Sequence, residues 1–390
     1  MKLLERFFLP RFRAILRPFL DTMQFAYQAG RSCEDAILFL FDKSYSHLEG
    51  ARHGSSVRML FFDFPSAFNT IQPHILVKKL IDMNVPSNFS LWILDYLSSR
   101  SQYVKLDSNT LSDTIISNTG APQGTVLAPF LFTVYTSDCV STSEKCPLVK
   151  FADDTEMAGL IDKDDDSAFL SQVESFVQYC DGNYLELNVG KTKEMLIDFR
   201  RTSTEPEPIV IKGMEVERAS EYKYLGVMLD NKMTWEIQID QIIKKLNSRM
   251  CCLRKMSSFH VRPEILKMFY NSTICGVWRY CLICWGGNVC KKEQDRLDKI
   301  IGRAERIIGD ELESVDSVYR SLLGRKLDRV WDDEDHPLHA RLSAQESLRD
   351  SGRLRLPPLA TNRYKNFFTV RAIKLFNENV QRKVEDEDGF

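Results

Sequence analysis

Apolar and polar positions along the chain follow two rhythms, one of about 3.6 residues and one of two, and the change from one to the other marks out the elements. Residues 3 to 20 carry a helical pattern interrupted by Pro10 and Pro18. Ser32 then starts a helix, with Asp35 three residues on and the apolar positions Ala36, Ile37, Phe39, Leu40 and Phe41 behind it. Residues 57 to 62 form an apolar strand that ends on Asp63. Helices are expected from Pro73 to about Met83 and over 86 to 97, where Trp92 and Tyr96 lie one turn apart. Strands are expected over 103–107 and 113–118, with Ser108 and Asn109 in the turn between them. Residues 122 to 126 open a helix that runs through Asp138, and 148–152 with 155–160 flank Asp153 and Asp154 as a hairpin. A helix over 168–183 precedes a strand over 195–199. Pro206 and Pro208 then lie in a polar connector before an extended stretch at 209–216 and a strand at 222–229. From Asp240 onward the period is helical. Strands interleaved with helices and followed by an all-helical end predict an α+β catalytic domain with a helical appendage.

Charge refines this picture. The net charge of -2 averages over segments of opposite sign. Residues 1–20 hold Lys2, Arg6, Arg11, Arg13 and Arg17 against Glu5, residues 240–308 hold fourteen Lys or Arg against six acids, and residues 150–198 hold four lysines against twelve acids. Base at the ends and acid in the middle suits a polyanion gripped around an acidic metal centre; unrelated solvated faces account for the charges equally well. A chain of 390 residues, 44% hydrophobic, can bury a core and suits two or three domains. Ten cysteines at irregular spacing, with no apolar leader, fit free thiols in a reducing interior, so an intracellular address is expected, nucleus or cytoplasm alike. No stretch reaches the roughly 18 apolar residues of a membrane span.

An acid at the end of an apolar strand is costly unless it is paired or binds a cation, and Asp63 is such a residue. Ninety positions on, Asp153 and Asp154 stand side by side in the hairpin turn. If their strands are neighbours, three carboxylates converge and two Mg²⁺ ions could be held there for in-line phosphoryl displacement. An Asp-Asp turn by itself is more often ordinary turn chemistry.

The residues around these acids resemble a known family. Phe62-Asp63-Phe64-Pro65-Ser66-Ala67-Phe68 is similar to the first palm motif of reverse transcriptases from non-LTR, LINE-type retrotransposons, and Phe151-Ala152-Asp153-Asp154 to their metal-binding turn. Gly120-Ala121-Pro122-Gln123-Gly124 resembles the Pro-Gln-Gly segment, and 187–195 and 222–227 the fourth and fifth motifs. The likeness covers residues 20 to 230 and extends more loosely to about 380. It implies an RNA-directed DNA polymerase with a right-hand palm and partial fingers, followed by a helical thumb-like region. The implied divisions are partial fingers over 1–55, palm over 56–235, thumb-like helices over 236–310 and a C-terminal region of unassigned role over 311–390.

On that resemblance Asp63, Asp153 and Asp154 are the catalytic metal ligands, with the carbonyl of Phe64 a backbone ligand. Mg²⁺ is the expected cofactor, with Mn²⁺ able to replace it. The partners are an RNA template, a DNA primer and dNTPs, with no membrane; the oligomeric state is unassigned. Lys191 is the catalytic lysine near the triphosphate, with Lys193 its alternative. Arg31, Ser66, Ala67, Phe68, Gln123 and Gly124 bind the nucleotide: Phe68 lies under its sugar, and Gly124 allows backbone to approach closely. The competing readings are a core aromatic for Phe68 and a surface arginine for Arg31. Tyr222, Leu225 and Gly226 grip the primer. Lys244, Lys245, Arg249, Arg254 and Lys255 recur on successive helical turns suited to duplex phosphates.

Departures from the family qualify activity. The chain begins close to the finger segment, so the N-terminal extension and endonuclease of complete elements are expected to be absent. Pro65 lacks the amide N–H that the family usually has there, while the amides of Ser66 and Ala67 remain for phosphate. Asn69 and Ala128 replace residues that are often Asp and Ser. The alternatives to a polymerase are an inert nucleic-acid-binding remnant and a metal-dependent nuclease. Cys281 and Cys284, with Cys275 and Cys290 nearby, read as reduced core cysteines, and His336 and His339 as surface residues.

Overall fold

The structure, a computed structural model, describes residues 2–50, 55–107, 110–200, 205–343 and 352–387. The turn expected at Ser108 and Asn109 lies outside them.

Contacts divide the chain into two compact units, and the division does not follow the order of the sequence. The first unit comprises Met1–Ser32, Val57–Glu194 and Thr204–Arg218. Its strands are β1 (Ser55–Phe62), β2 (Arg100–Gln102), β3 (Ile115–Ser117), β4 (Leu148–Phe151), β5 (Asp154–Asp162), β6 (Lys193–Ile197), β7 (Val210–Ile211), β8 (Met214–Glu215) and β9 (Glu217–Arg218). A five-stranded sheet runs in the order β4-β5-β1-β6-β9, with β4 and β5 antiparallel and β6 and β9 parallel. Every residue of β1 is buried, as expected of a central strand covered on both faces. Leu60 and Phe62 share one core with Leu16 and Phe12 from the N-terminal helix Lys2–Leu16 and with Leu76 and Leu80 from the helix Pro73–Asp82, and the ring of Phe62 meets Phe176 from the helix Ser167–Gly182. Pro10 sits within the first helix, and Pro18 lies in the 3₁₀ turn Arg17–Phe19 that ends it.

Several expected boundaries move, each for a local reason. The strands placed at 103–107 and 113–118 pair instead as β2 with β3, leaving a single bridge between Lys105 and Leu111. The helix expected to open at Pro122 begins at Ala128 and ends at Tyr135, because Gly124 takes a φ of +75° and breaks the helical path. The stretch 209–216 folds back on itself as β7 and β8 about Lys212 and Gly213, both at positive φ.

One strand residue contradicts the apolar pattern. Arg58 is 1% exposed, yet its guanidinium donates to Glu194 at 2.6 Å, to Asp166 and to the carbonyl of Glu207 at 2.9 Å. Glu194, itself 0% exposed, also accepts from Arg218 at 3.0 Å. The network joins β1, β6 and β9 and the connector between β6 and β7.

The second unit comprises Cys33–Ser56, Met195–Ser203 and Ala219–Phe390. It holds the hairpin of β10 (Glu221–Tyr224) and β11 (Val227–Asp230), takes in the ends of β1 and β6, and is mainly helical besides. The strand expected over 222–229 is this hairpin: Leu225 and Gly226 both take positive φ, the requirement of a two-residue turn that matches strand twist. Helices Glu236–Ser258, Lys291–Ile308, Val315–Trp331 and Phe368–Glu387 supply most of the rest. Gly309, at φ +78°, ends the second of these by donating to the carbonyl of Glu305 at 2.7 Å.

The helix Cys33–Gly50 carries acids into this unit's interior. Asp35 accepts from Lys326 at 2.8 Å and lies 3.3 Å from His336. Asp42 accepts from Thr369 at 2.6 Å and pairs with Arg341 at 3.0 Å. His336, read from the sequence as a surface residue, is therefore 2% exposed, because Asp35 and the amide of Leu338 give its ring polar partners inside. Cys275, Cys281 and Cys284 are buried, Cys290 is exposed, and all ten cysteines are free. Among the described residues no helix is long and apolar enough to cross a membrane.

Removing one partner of a buried ion pair strands the other. Glu194→Gln is expected to lower the unfolding free energy by about 3 kcal/mol, read as a drop in the urea midpoint. Lys145→Ala, which deletes an exposed pair with Asp162, is expected to leave that midpoint in place.

Candidate functional site

Asp63 follows directly on β1, and its backbone is fixed by a loop two motifs away. Its carbonyl accepts from the amide of Asn188 at 2.9 Å. Its amide lies 3.4 Å from the hydroxyl of Thr192, which donates in turn to the carbonyl of Asn188 at 2.9 Å. The carboxylate is less well served. Oδ2 of Asp63 is buried with no hydrogen-bond partner among the described residues. A buried carboxylate oxygen without a donor calls for an explanation such as an ion.

β5 is the sheet neighbour of β1, so the turn between β4 and β5 comes into range of Asp63. That turn is two residues long: Phe151 pairs with Asp154, leaving Ala152 and Asp153 at the tip. Ala152 adopts φ +58°, a left-handed conformation that costs a non-glycine residue roughly 1–2 kcal/mol. It is held by Gln24, whose side chain bonds both the amide and the carbonyl of Ala152. Asp154 is exposed on its own surface, yet the surrounding chain desolvates it and the charges of Asp153 and then Asp63 add to the effect, pushing its pKa up to about 6. Tyr27 is raised first by burial and then by Asp153. Asp154 thus lies within the field of both other expected acids, and the unpartnered Oδ2 of Asp63 fits a cation. As they stand, no three His, Cys, Asp or Glu side chains among the described residues are gathered into a ready metal cage.

Phe64 is half-buried, and Pro65 and Ser66 are exposed ahead of the short helix Ala67–Thr70, with Ala67 buried. Phe68 is half-buried and stacks on Phe132 with ring centroids 4.7 Å apart. The Pro-Gln-Gly segment is tied to this helix. Gly120 donates to Ile71 at 2.7 Å and Ala121 to Phe68 at 2.9 Å, and a side chain on Gly120 would lie 2.7 Å from the Cα of Asn69. Gly120 thus packs its backbone directly against Asn69, while Gly124, at φ +75°, has no protein atom within 4 Å of where a Cβ would stand. Gln123 reaches toward Asn69 at 3.5 Å. Beyond the turn, the carboxylate of Glu5 accepts from the amides of Val126 at 2.6 Å and Leu127 at 3.2 Å, fixing where the loop becomes helix.

Lys193 is engaged with Glu217 at 2.7 Å, whereas Lys191 is exposed with no ion-pair partner among the described residues. Arg31 is half-buried, its amide bonded to Gln28. Tyr222, Leu225 and Gly226 belong to the second unit, where the hydroxyl of Tyr280 donates to the carbonyl of Leu225 at 2.8 Å. Sequence reasoning gave no role to Gln24 or Glu5. Their signal was faint: one polar residue in a finger segment and one acid in a basic helix.

The family model described as Reverse transcriptase (RNA-dependent DNA polymerase) matches residues 1–229. The chain is 24% identical over 324 residues to the Probable RNA-directed DNA polymerase from transposon BS of Drosophila melanogaster, covering 79% of this chain and 35% of that protein. It is 24% identical over 277 residues to the RNA-directed DNA polymerase from mobile element jockey of Drosophila funebris, covering 66% and 29%. It spans about a third of the length of these curated relatives. Among solved structures, apo telomerase from Candida tropicalis matches with a TM-score of 0.43 and 11% identity, over 86% of this chain and 55% of that one.

The raised pKa of Asp154 has a signed consequence. The folded form takes up a proton more readily than the unfolded chain, so without a divalent cation stability should fall as pH rises from the ordinary 3.8 through about 6. Thermal melts in EDTA should show that slope, and Asp154→Asn should flatten it.

Proposed function

Because the chain belongs to the reverse transcriptase (RNA-dependent DNA polymerase) family, as its match over residues 1–229 establishes, we propose that it extends a primer 3'-OH along an RNA template by transferring dNMP from dNTPs. The observation that carries this reading is the buried, unpartnered Oδ2 of Asp63 in the field it shares with Asp153 and Asp154. Asp63, Asp153 and the carbonyl of Phe64 would hold two Mg²⁺ ions, with Asp154 the lesser ligand. When bound, the ions lower the pKa of the attacking hydroxyl and stabilise the leaving oxygen.

The chain's own residues do the positioning. The amides of Ser66 and Ala67 meet the triphosphate, and Lys191, exposed where Lys193 is paired, supplies charge or a proton to it. Arg31 adds a second cation. Phe68, backed by Phe132, bars a ribose 2'-OH from the nucleotide site, and Gln123 with Gly124 lies against the template base. Tyr222 from β10, with Leu225 and Gly226 from the β10–β11 turn, grips the primer. Residues 1–55 act as partial fingers, 56–235 as palm and 236–310 as thumb, where exposed Lys244, Lys245, Arg254 and Lys255 on one helix suit duplex phosphates.

One residue favours a second reading. Pro65 stands exposed two positions after Asp63 without an amide N–H, which suits a chain that binds an RNA–DNA hybrid and does not polymerise.

Primer extension on an RNA template with dNTPs and Mg²⁺ separates the two. Extension that Asp153→Asn abolishes is expected, and hybrid binding without incorporation in Mg²⁺ or Mn²⁺ selects the second reading. Phe68→Ala should let the enzyme add ribonucleotides, raising their kcat/KM relative to dNTPs by at least tenfold in single-nucleotide assays.

A further inference from the structure

β4 is an edge strand of the five-stranded sheet, and the segment Met23 to Phe25 pairs with it for one rung. The amide of Lys150 donates to the carbonyl of Met23 at 2.9 Å, and the amide of Phe25 donates to the carbonyl of Lys150 at 2.8 Å, which is the pattern of a parallel ladder. The next rung would bond Ala152 to the carbonyl of Phe25 and the amide of Tyr27. The chain leaves the strand path there, with Tyr27 at φ +60°.

The side chain of Gln24 takes over that rung. Its Oε1 accepts from the amide of Ala152 at 2.9 Å and its Nε2 donates to the carbonyl of Ala152 at 3.2 Å. Oε1 also accepts from the amide of Ala26 at 3.0 Å, so the carboxamide is itself held in one orientation. Gln24 is 1% exposed. Among uncharged side chains of this length, only a carboxamide presents an acceptor and a donor with the spacing of a peptide group. The two groups it seizes belong to the peptides on either side of Ala152, the second of which precedes Asp153, in a turn whose left-handed residue would otherwise be free to flip.

We infer that Gln24 is a positioning residue for the metal site: its carboxamide substitutes for a missing ladder rung and fixes the orientation from which Asp153 reaches a divalent cation. This rests on the proposed reading of Asp153 as a metal ligand. Gln24 touches neither the cation nor the nucleotide. Its effect passes through the peptide of Ala152, as that of groups that orient metal ligands generally does.

The test uses the full chain and two variants. Gln24→Met keeps the length and removes both polar partners. Gln24→Glu keeps the acceptor for Ala152 and Ala26, replaces the donor with a charged oxygen facing the carbonyl of Ala152, and gives a second reading of the clamp if the methionine variant does not fold. Amide hydrogen exchange reads the clamp without reference to metal: exchange at Ala152 should speed at least tenfold in Gln24→Met while the centre of β5 stays protected. Mn²⁺ binding, followed by the electron paramagnetic resonance of the free ion, reads the consequence, with an expected loss of about 10- to 100-fold in the affinity that depends on Asp153. Unchanged exchange at Ala152, or unchanged Mn²⁺ affinity in a folded variant, would overturn the inference. If the unmodified chain shows no Mn²⁺ binding sensitive to Asp153→Asn, the metal reading fails and takes with it the role assigned to Gln24, whatever the exchange result.

Discussion

A carboxylate oxygen that is buried without a partner, as Oδ2 of Asp63 is, cannot be held by its own bonds and must be held by its backbone. Like charges add to the difficulty, since Asp153 and Asp63 both push protons onto Asp154. The scaffolding of the first unit answers this constraint. Asn188 and Thr192 secure the peptide of Asp63, and Gln24 secures the peptide before Asp153. Neither device uses a charge. Neutral amides and hydroxyls can fix the carboxylates without quenching the negative field that would draw a cation in.

The same economy does not extend to the sheet itself. Arg58, Glu194 and Asp166 place full charges in the interior of the first unit, and each is compensated by another. Buried pairs of this kind are weak sources of net stability and strong sources of register, because a strand that slips by one residue would turn Arg58 away from Glu194 and break the pair. The register so fixed sets where β1 ends, and therefore where Asp63 emerges.

Periodicity and order revealed much of this in advance. The apolar run through Phe62, the paired acids of the β4–β5 turn and the helices Pro73–Asp82, Ser87–Leu97 and Ser167–Gly182 were legible because each is a local pattern with a strong signal. The Pro-Gln-Gly segment was recognisable, but its form was not: Gly124 reads as a helix opener until its positive φ is known, and the cap that ends the loop comes from Glu5, more than a hundred residues away. Leu225 and Gly226 split one expected strand into two, because the run from Tyr222 to Leu229 reads as continuous and Leu225 gave no sign of positive φ. His336 was misplaced for a related reason. Its burial depends on Asp35, a partner that no local window contains. What escaped the sequence were long-range polar contacts, whose residues look like surface wherever they are read singly.

The helix Cys33–Gly50 has a history that its packed form conceals. Asp35 meets Lys326 across 291 residues, and Asp42 meets Thr369 across 327. At ribosomal speeds of roughly 5–20 residues per second, the later partner follows the earlier by about 15 to 60 seconds. For that interval the newborn helix carries an apolar surface and two acids with nothing to receive them. The second unit can close around this helix only after residue 369 has left the ribosome, and a nascent chain stalled before residue 326 presents chaperones with an open flank.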